Sequence, residues 1–324
     1  MDRRTFLAGF SAMAASQVIA AQSTPTIYRI GILSLATTSD LVGSQPRSPS
    51  VNALVRGLRE LGYTYGEHFV TEPRGSEGKP ERFHSLAAEL VGLHVDVIVA
   101  AGPALGALKQ VTSTIPIVMA AHDDPVGQGY VQSLGRPGGN ITGLSFQSVE
   151  VIGKRLELLK ELAPSAAPVA VIWNKSGVAN WRVVEGAARE RGWKLKSLEI
   201  QDADEIEGAF RAATEARAGA VLVFAASVLF PHRRRVAELA AKSRLPTMFD
   251  LQPYVEAGGL ISYSADLVDI WRRAAVYVDK ILKGANPADL PSSSPRSSSL
   301  SLTSRPRRRS DSRSHSRCCC ARMR

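Results

Sequence analysis

His122-Asp123-Asp124 sets an imidazole beside two carboxylates, a set able to ligate a metal or move a proton. No second His or acidic cluster stands at ligand spacing, and Asp124-Pro125 is an ordinary turn opener, so no metal centre is expected. Ser227 carries a hydroxyl but lacks the G-x-S-x-G elbow that would make it a hydrolase nucleophile. The first strand is not followed by G-x-G-x-x-G, and G-x-x-x-x-G-K-[ST] is absent, so nucleotide binding by these motifs is not expected. His232-Arg233-Arg234-Arg235 resembles an anion patch. It opens a helix whose other face is Val236, Leu239 and Ala240, which makes a solvated basic face the plainer expectation. Trp173, Trp181, Tyr254 and Tyr263 offer rings for stacking; Trp173 ends an apolar strand and belongs by default in the core. The residue types point to binding rather than catalysis, with no catalytic residue and no cofactor.

The elements that position these residues alternate. Short β-rich runs (28–33, 69–72, 95–100, 115–119, 141–144) are separated by segments of helical period (50–61, 81–91, 104–111). The pattern restarts with a helix at 149–162. Strand runs follow at 168–173, 195–200, 220–224, 247–249 and 260–263, and a last amphipathic helix at 267–282. The run Val95-Asp96-Val97-Ile98-Val99-Ala100 is almost wholly apolar, as a strand buried on both faces requires. Two such sets predict an α/β protein of two doubly wound, Rossmann-like lobes.

Open parallel sheets bind ligands beyond the carboxyl ends of their strands. The loops there offer Ser34, Gly102-Pro103, Asp123-Asp124, Asn174, Ser227 and Asp250, with Tyr254 just beyond. Small and polar residues beside helix N-termini leave backbone N–H groups for a carboxylate or other anion. These nine positions are the candidate ligand contacts. Asp124 and Asp250 also have the chemistry to cap the segments that follow them.

The chain has 324 residues and a formal charge of +10, but the charge lies at the ends. From Ser292 to Arg324 there are nine Arg and one Asp, and the leader adds Asp2, Arg3 and Arg4. The remainder carries 29 basic against 28 acidic residues, a net +1, so nothing in the body implies a nucleic-acid partner. All three cysteines, Cys318 to Cys320, lie in the tail, leaving the body no disulfide or thiol site. Residues 1–21 read as an export signal: Arg3-Arg4, an apolar stretch from Leu7 to Ala15, and small residues at 18–21. DRRTFLAG is close to the twin-arginine pattern, and a Sec signal carrying Arg-Arg is the alternative. The apolar stretch is too short to span a bilayer, and no Cys near the cleavage site supports a lipid anchor. A soluble protein outside the cytoplasm is expected.

Several strings occur together and in order: GLRELGY (57–63), LAAELVGLHVDVIVAAG (86–102), TSTIPIVMAAHDDPVGQGYVQSLGRPGGNITGLS (112–145), GKRLELLKELAP (153–164), HRRRVAELAAKSRLPTMFD (232–250) and YVEAGGLISYSADLVDIWRRAAVYVDKILKGANPADLP (254–291). With them the chain resembles the periplasmic substrate-binding proteins of ABC transporters, in the branch related to tryptophan/tyrosine binders. The resemblance implies a type I periplasmic binding protein-like fold, two lobes joined by a multi-stranded hinge. It also implies capture of a small solute, an amino acid or other small carboxylate, for delivery to a membrane permease. A clamshell that senses its ligand for a membrane receptor is the alternative. The lobes are expected at 27–145 plus 262–291 and at 146–261. Members of the family usually place Ser or Thr between the Gly and the Pro of the loop after the third strand. Here Gly102 joins Pro103 directly, and that hydroxyl is missing.

The second departure is residues 292–324, twelve of which are Ser and nine Arg. Such a segment cannot bury enough apolar surface to offset its ordering entropy, so disorder is expected. The family continues at this point with an apolar strand and a helix. GC-rich codons for its Leu-Leu-Leu-Arg-Ala-Asp-Glu, read one base later, spell Cys-Cys-Cys-Ala-Arg-Met, the order found from Cys318 to Met323. A frameshift near codon 291 is therefore expected.

Overall fold

The computed structural model describes residues 27–122, 124–145, 149–224, 228–293 and 298–302. The first sheet has the order β2-β1-β3-β4-β5, all parallel, from β1 (Tyr28–Ser34), β2 (Phe69–Gly75), β3 (Val97–Ala101), β4 (Ile117–Ala121) and β5 (Ile141–Gly143). β3 and β4 are central and their runs VIVAA and IVMAA are almost entirely buried. β2 is an edge strand and alternates buried with half-buried residues. Its edge position tolerates Pro73, and the strand runs three residues past the predicted end. Helices α1 (Pro49–Glu60), α2 (Phe83–Gly92) and α3 (Ala104–Val111) connect these strands. One apolar cluster, including Leu54, Leu58, Val97 and Val99, fills one side of the sheet. Another, including Leu86, Leu90, Ile98 and Leu105, fills the other.

The second sheet repeats the design. β6 (Val169–Trp173), β7 (Leu195–Glu199), β8 (Ala220–Val223), β9 (Thr247–Phe249) and β10 (Ile261–Ala265) stand as β7-β6-β8-β9-β10, again parallel. Its helices are α4 (Val149–Leu162), α5 (Val178–Glu190), α6 (Glu205–Glu215), α7 (Arg233–Ser243) and the short α8 (Gln252–Glu256). In each sheet the strand order reverses direction between the first and third strands of its set: β1 and β3 in one, β6 and β8 in the other. A crevice opens at such switch points.

Two boundaries differ from expectation. The return to the first lobe was placed at residue 262, but β10 pairs with β9 through Ile261–Met248 and Ser262–Phe249, so it belongs to the second lobe. The chain crosses back at Asp266, whose side chain caps α9 (Leu267–Leu282) by accepting from the Val268 and Asp269 N–H groups. α9 then packs along α1. A methyl group on Gly57 would lie 2.5 Å from the Arg272 carbonyl oxygen, so only glycine admits this approach. The tail also departs from the expected disorder. Ser298–Leu302 forms β11, antiparallel to β10 at the edge of the second sheet, with Leu300 opposite Tyr263 and Leu302 opposite Ile261. The open edge of β10 supplies backbone partners, and a ladder of backbone hydrogen bonds does not require apolar side chains.

Candidate ligand-binding cleft

The candidate residues follow from the strand ends. Ser34 closes β1 and is half-buried; its Oγ accepts from the Ala36 N–H at 3.2 Å, bending the chain away from the sheet. Gly102 leaves β3 at φ +57°, a left-handed conformation suited to glycine, and its N–H reaches the Ala121 oxygen at 3.0 Å. Pro103, exposed, is the N-cap of α3. These two residues lie at the switch point of the first sheet. Asn174, buried, follows β6 at the corresponding point of the second, and its carbonyl accepts from the Gly177 N–H at 2.8 Å. Asp123 and Ser227 lie outside the described residues.

Asp124 is a turn former. Its Oδ1 accepts from the Gly127 N–H at 2.8 Å and its own N–H donates to His122 Nδ1 at 3.0 Å. A Cβ on residue 127 would meet the carboxylate at 2.0 Å, which explains the glycine. Because His122 Nδ1 accepts, that nitrogen holds a lone pair. The His122 carbonyl accepts from Ser145 Oγ at 3.0 Å, and its ring meets Tyr130 edge-on. The loop after β4 is thus locked to the end of β5.

Asp250 follows β9 and is buried, with its N–H on the Val223 oxygen at 3.2 Å. Tyr254 does not line an open surface. It is fully buried, stacks on Phe249 at 5.0 Å and meets Phe230 edge-on, so it belongs to the core of the second lobe. Burial, followed by the Asp250 charge, holds its phenol pKa well above the usual value, so the hydroxyl stays protonated. Trp173 is also a core residue: it stacks on Trp181 at 5.4 Å and donates its Nε1–H to Ser197 Oγ. Among the described residues no group of three His, Cys, Asp or Glu side chains gathers at a metal-binding distance.

One residue escaped sequence reasoning. Arg155 of α4 is buried; its Nε donates to the Tyr263 carbonyl at 2.7 Å and its Nη2 to the Asp250 carbonyl at 3.1 Å. Burial pulls its pKa down, against the opposing influence of Asp250 and Tyr263. The guanidinium therefore clamps α4 to β10 and to the Asp250 turn. The signal was present: Arg155 falls on the stripe of Ile152, Leu156 and Leu159, which are otherwise apolar.

The rims of the two lobes come close where the turn after β2 faces the turn before α7. A Cβ on Gly78, in the turn after β2, would lie 3.5 Å from Pro231 Cβ in the turn before α7. The Gly78 turn is held by N–H bonds from Ser76, Glu77 and Gly78 to the Ser34, Ala36 and Leu35 oxygens.

The family model described as ABC transporter substrate binding protein matches residues 39–305. A tyrosine-binding protein of Clostridioides difficile (strain R20291) is 26% identical over 258 residues, 78% of this chain and 74% of that protein. Among solved structures, a conserved domain protein from Vibrio cholerae O1 biovar El Tor str. N16961 is 26% identical. That match covers 86% of this chain and 92% of the other, with a TM-score of 0.77. The ABC domain in complex with L-Trp from Streptococcus pneumonia is 25% identical over 84% of this chain and 91% of that one, with a TM-score of 0.75.

Proposed function

Because the chain belongs to the ABC transporter substrate-binding protein family, we propose that it captures a small solute between its two lobes and hands it to a membrane permease, without catalysing a reaction. The observation that carries this reading is the repeated strand order. It puts a crevice at β1/β3 in one lobe and at β6/β8 in the other, with the rims close to one another at Gly78 and Pro231. Ser34, Gly102, Asn174 and Asp250 stand at the carboxyl ends of strands from both lobes, so a solute between them is held from two sides. The L-Trp complex and the tyrosine-binding relative make amino acids the first ligands to try.

Export behind Arg3-Arg4 places this capture in the periplasm. No helix among the described residues is long and apolar enough to cross a membrane. The frameshift near codon 291 belongs to the same reading, because it accounts for a Ser/Arg composition where the family has an apolar strand. The test is thermal unfolding of the full chain with each of the common amino acids and a set of small carboxylates, followed by calorimetric titration of those that raise the melting temperature. A saturable rise with at least one such compound is expected. A flat response to all of them would overturn amino-acid and carboxylate capture.

A further inference from the structure

The loop that carries the chain away from Ser34 is long for its place. Residues 35–48 join β1 to α1, where about 2–6 residues usually suffice. Its first part lies along the turn after β2. The Ser34, Leu35 and Ala36 carbonyls accept from the Ser76, Gly78 and Glu77 N–H groups at 2.9, 2.7 and 3.2 Å. Thr38 opens a single turn of 3₁₀ helix, Thr38–Asp40, and its Oγ1 accepts from the Gly75 N–H at 2.9 Å. Gly75 is the last residue of β2 and stands opposite Ser34 in the register of the sheet. A Cβ at this position would lie 2.2 Å from the Ala36 oxygen, 2.5 Å from the Thr38 nitrogen and 2.8 Å from the Thr37 carbonyl carbon. All three are backbone atoms, so no side-chain rotation could make room. Gly75 is not among the glycines of positive φ, so the approach of the loop, and not its own backbone angles, requires it. Farther along, Leu41 is buried in the core of the first lobe and the Ser48 N–H donates to the Asp40 oxygen at 2.9 Å.

We infer that Gly75 and Thr38 are positioning residues of the cleft. The bare backbone of Gly75 lets the loop after β1 come down onto the end of β2, and the Thr38 hydroxyl holds it there. Together they fix where Ser34 and the residues that follow it stand above the sheet, without themselves touching a solute. A loop of this length would otherwise pay for its order when a solute binds, and a loop already ordered does not. The effect on affinity rests on the proposed capture of a solute; the placement of the loop does not.

The test uses Thr38→Val, Thr38→Ser and Gly75→Ala in the full chain. Amide hydrogen exchange is read at residues 75–78, and calorimetric titration with L-tryptophan and L-tyrosine is run well below the melting temperature of each variant. Valine keeps the shape of threonine but removes the acceptor, so the Gly75 amide should exchange about fivefold faster or more. Serine keeps the acceptor and should match the parent in exchange and in affinity. Gly75→Ala must lift the loop, so the dissociation constant of whichever amino acid binds the parent should rise about tenfold or more, and that of Thr38→Val should rise with it. Parent-like exchange at Gly75 in Thr38→Val would overturn the inference. So would parent-like affinity in Thr38→Val and Gly75→Ala alongside lower melting temperatures, because the two residues would then serve stability alone. Should Gly75→Ala fail to fold, the Val and Ser pair decides the matter. If neither amino acid binds the parent, capture of these solutes fails by itself, and exchange at Gly75 still decides whether Thr38 holds the loop.

Discussion

Replacing Arg155 by Met tests whether the buried guanidinium holds the second lobe's half of the cleft in place. Methionine keeps most of the side-chain volume and removes the charge and both hydrogen bonds. Each bond from a charged donor contributes about 1.5–3 kcal/mol net. The two bonds, to the Tyr263 and Asp250 carbonyls, therefore set a gross loss of about 3–6 kcal/mol. Relief works in the other direction, because a buried guanidinium has given up its hydration. Burial is the first influence on the Arg155 pKa and lowers it, the direction such a penalty gives. Crediting part of it back leaves a net destabilisation of about 2–4 kcal/mol, or a melting temperature lower by roughly 5–12 °C. Urea unfolding should show the midpoint falling with no change in slope. Arg155→Lys should recover part of the loss, because it keeps the charge and one donor. A Met variant as stable as the parent would refute the reasoning, since desolvation would then outweigh the clamp.

Three further outcomes are expected. Gly57→Ala should lower the urea midpoint by an amount equivalent to about 1–2 kcal/mol. Its methyl group would sit 2.5 Å from the Arg272 oxygen and 2.9 Å from Ala275 Cβ, and overpacking of about 1–3 kcal/mol exceeds the roughly 1 kcal/mol gained in helix propensity. Tyr63 should give stability an alkaline limb. Burial first, and then the hydrogen bond to Asp279, raise its pKa from 10.0 to about 12. The unfolded chain therefore loses that proton first, and the stabilisation present below pH 10 fades between about 10 and 12; Tyr63→Phe should flatten this limb in melting curves taken across that range. On the proposed frameshift, a chain carrying the family's reading frame after codon 291 should have a higher melting temperature and solubility, because Leu300 and Leu302 lie 48% and 58% exposed on an edge strand. Unchanged solubility and melting after restoration would remove the case for a lost apolar element.

Much of the scaffold was legible because central strands announce themselves. VIVAA, IVMAA and VAVIW are buried on both faces, and no other element tolerates such short apolar runs between turns. The loops that carry Ser34, Gly102 and Asn174 followed from those strands. Pro73-Arg74-Gly75 did not read as strand, because proline is excluded from central positions and nothing local identifies β2 as an edge. The sheet that β10 joins was likewise invisible, since it depends on pairing with β9 rather than on its own residues. Tyr254 was read as a ligand contact from its place after β9, but it rests against Phe249 and Phe230 in the core. Arg155 was hidden by its type: a charged residue in an amphipathic helix does not announce a buried role, although its spacing put it on the buried stripe.

The most direct measurement is a crystal structure of the full chain grown with the amino acid or carboxylate that raises its melting temperature most. Capture between the lobes predicts that compound in contact with the loops after β1 and β3 on one side and with those after β6 and β9 on the other, Asn174 among its neighbours. A compound bound to one lobe alone, or on an outer face such as the groove between β7 and α6, would contradict it.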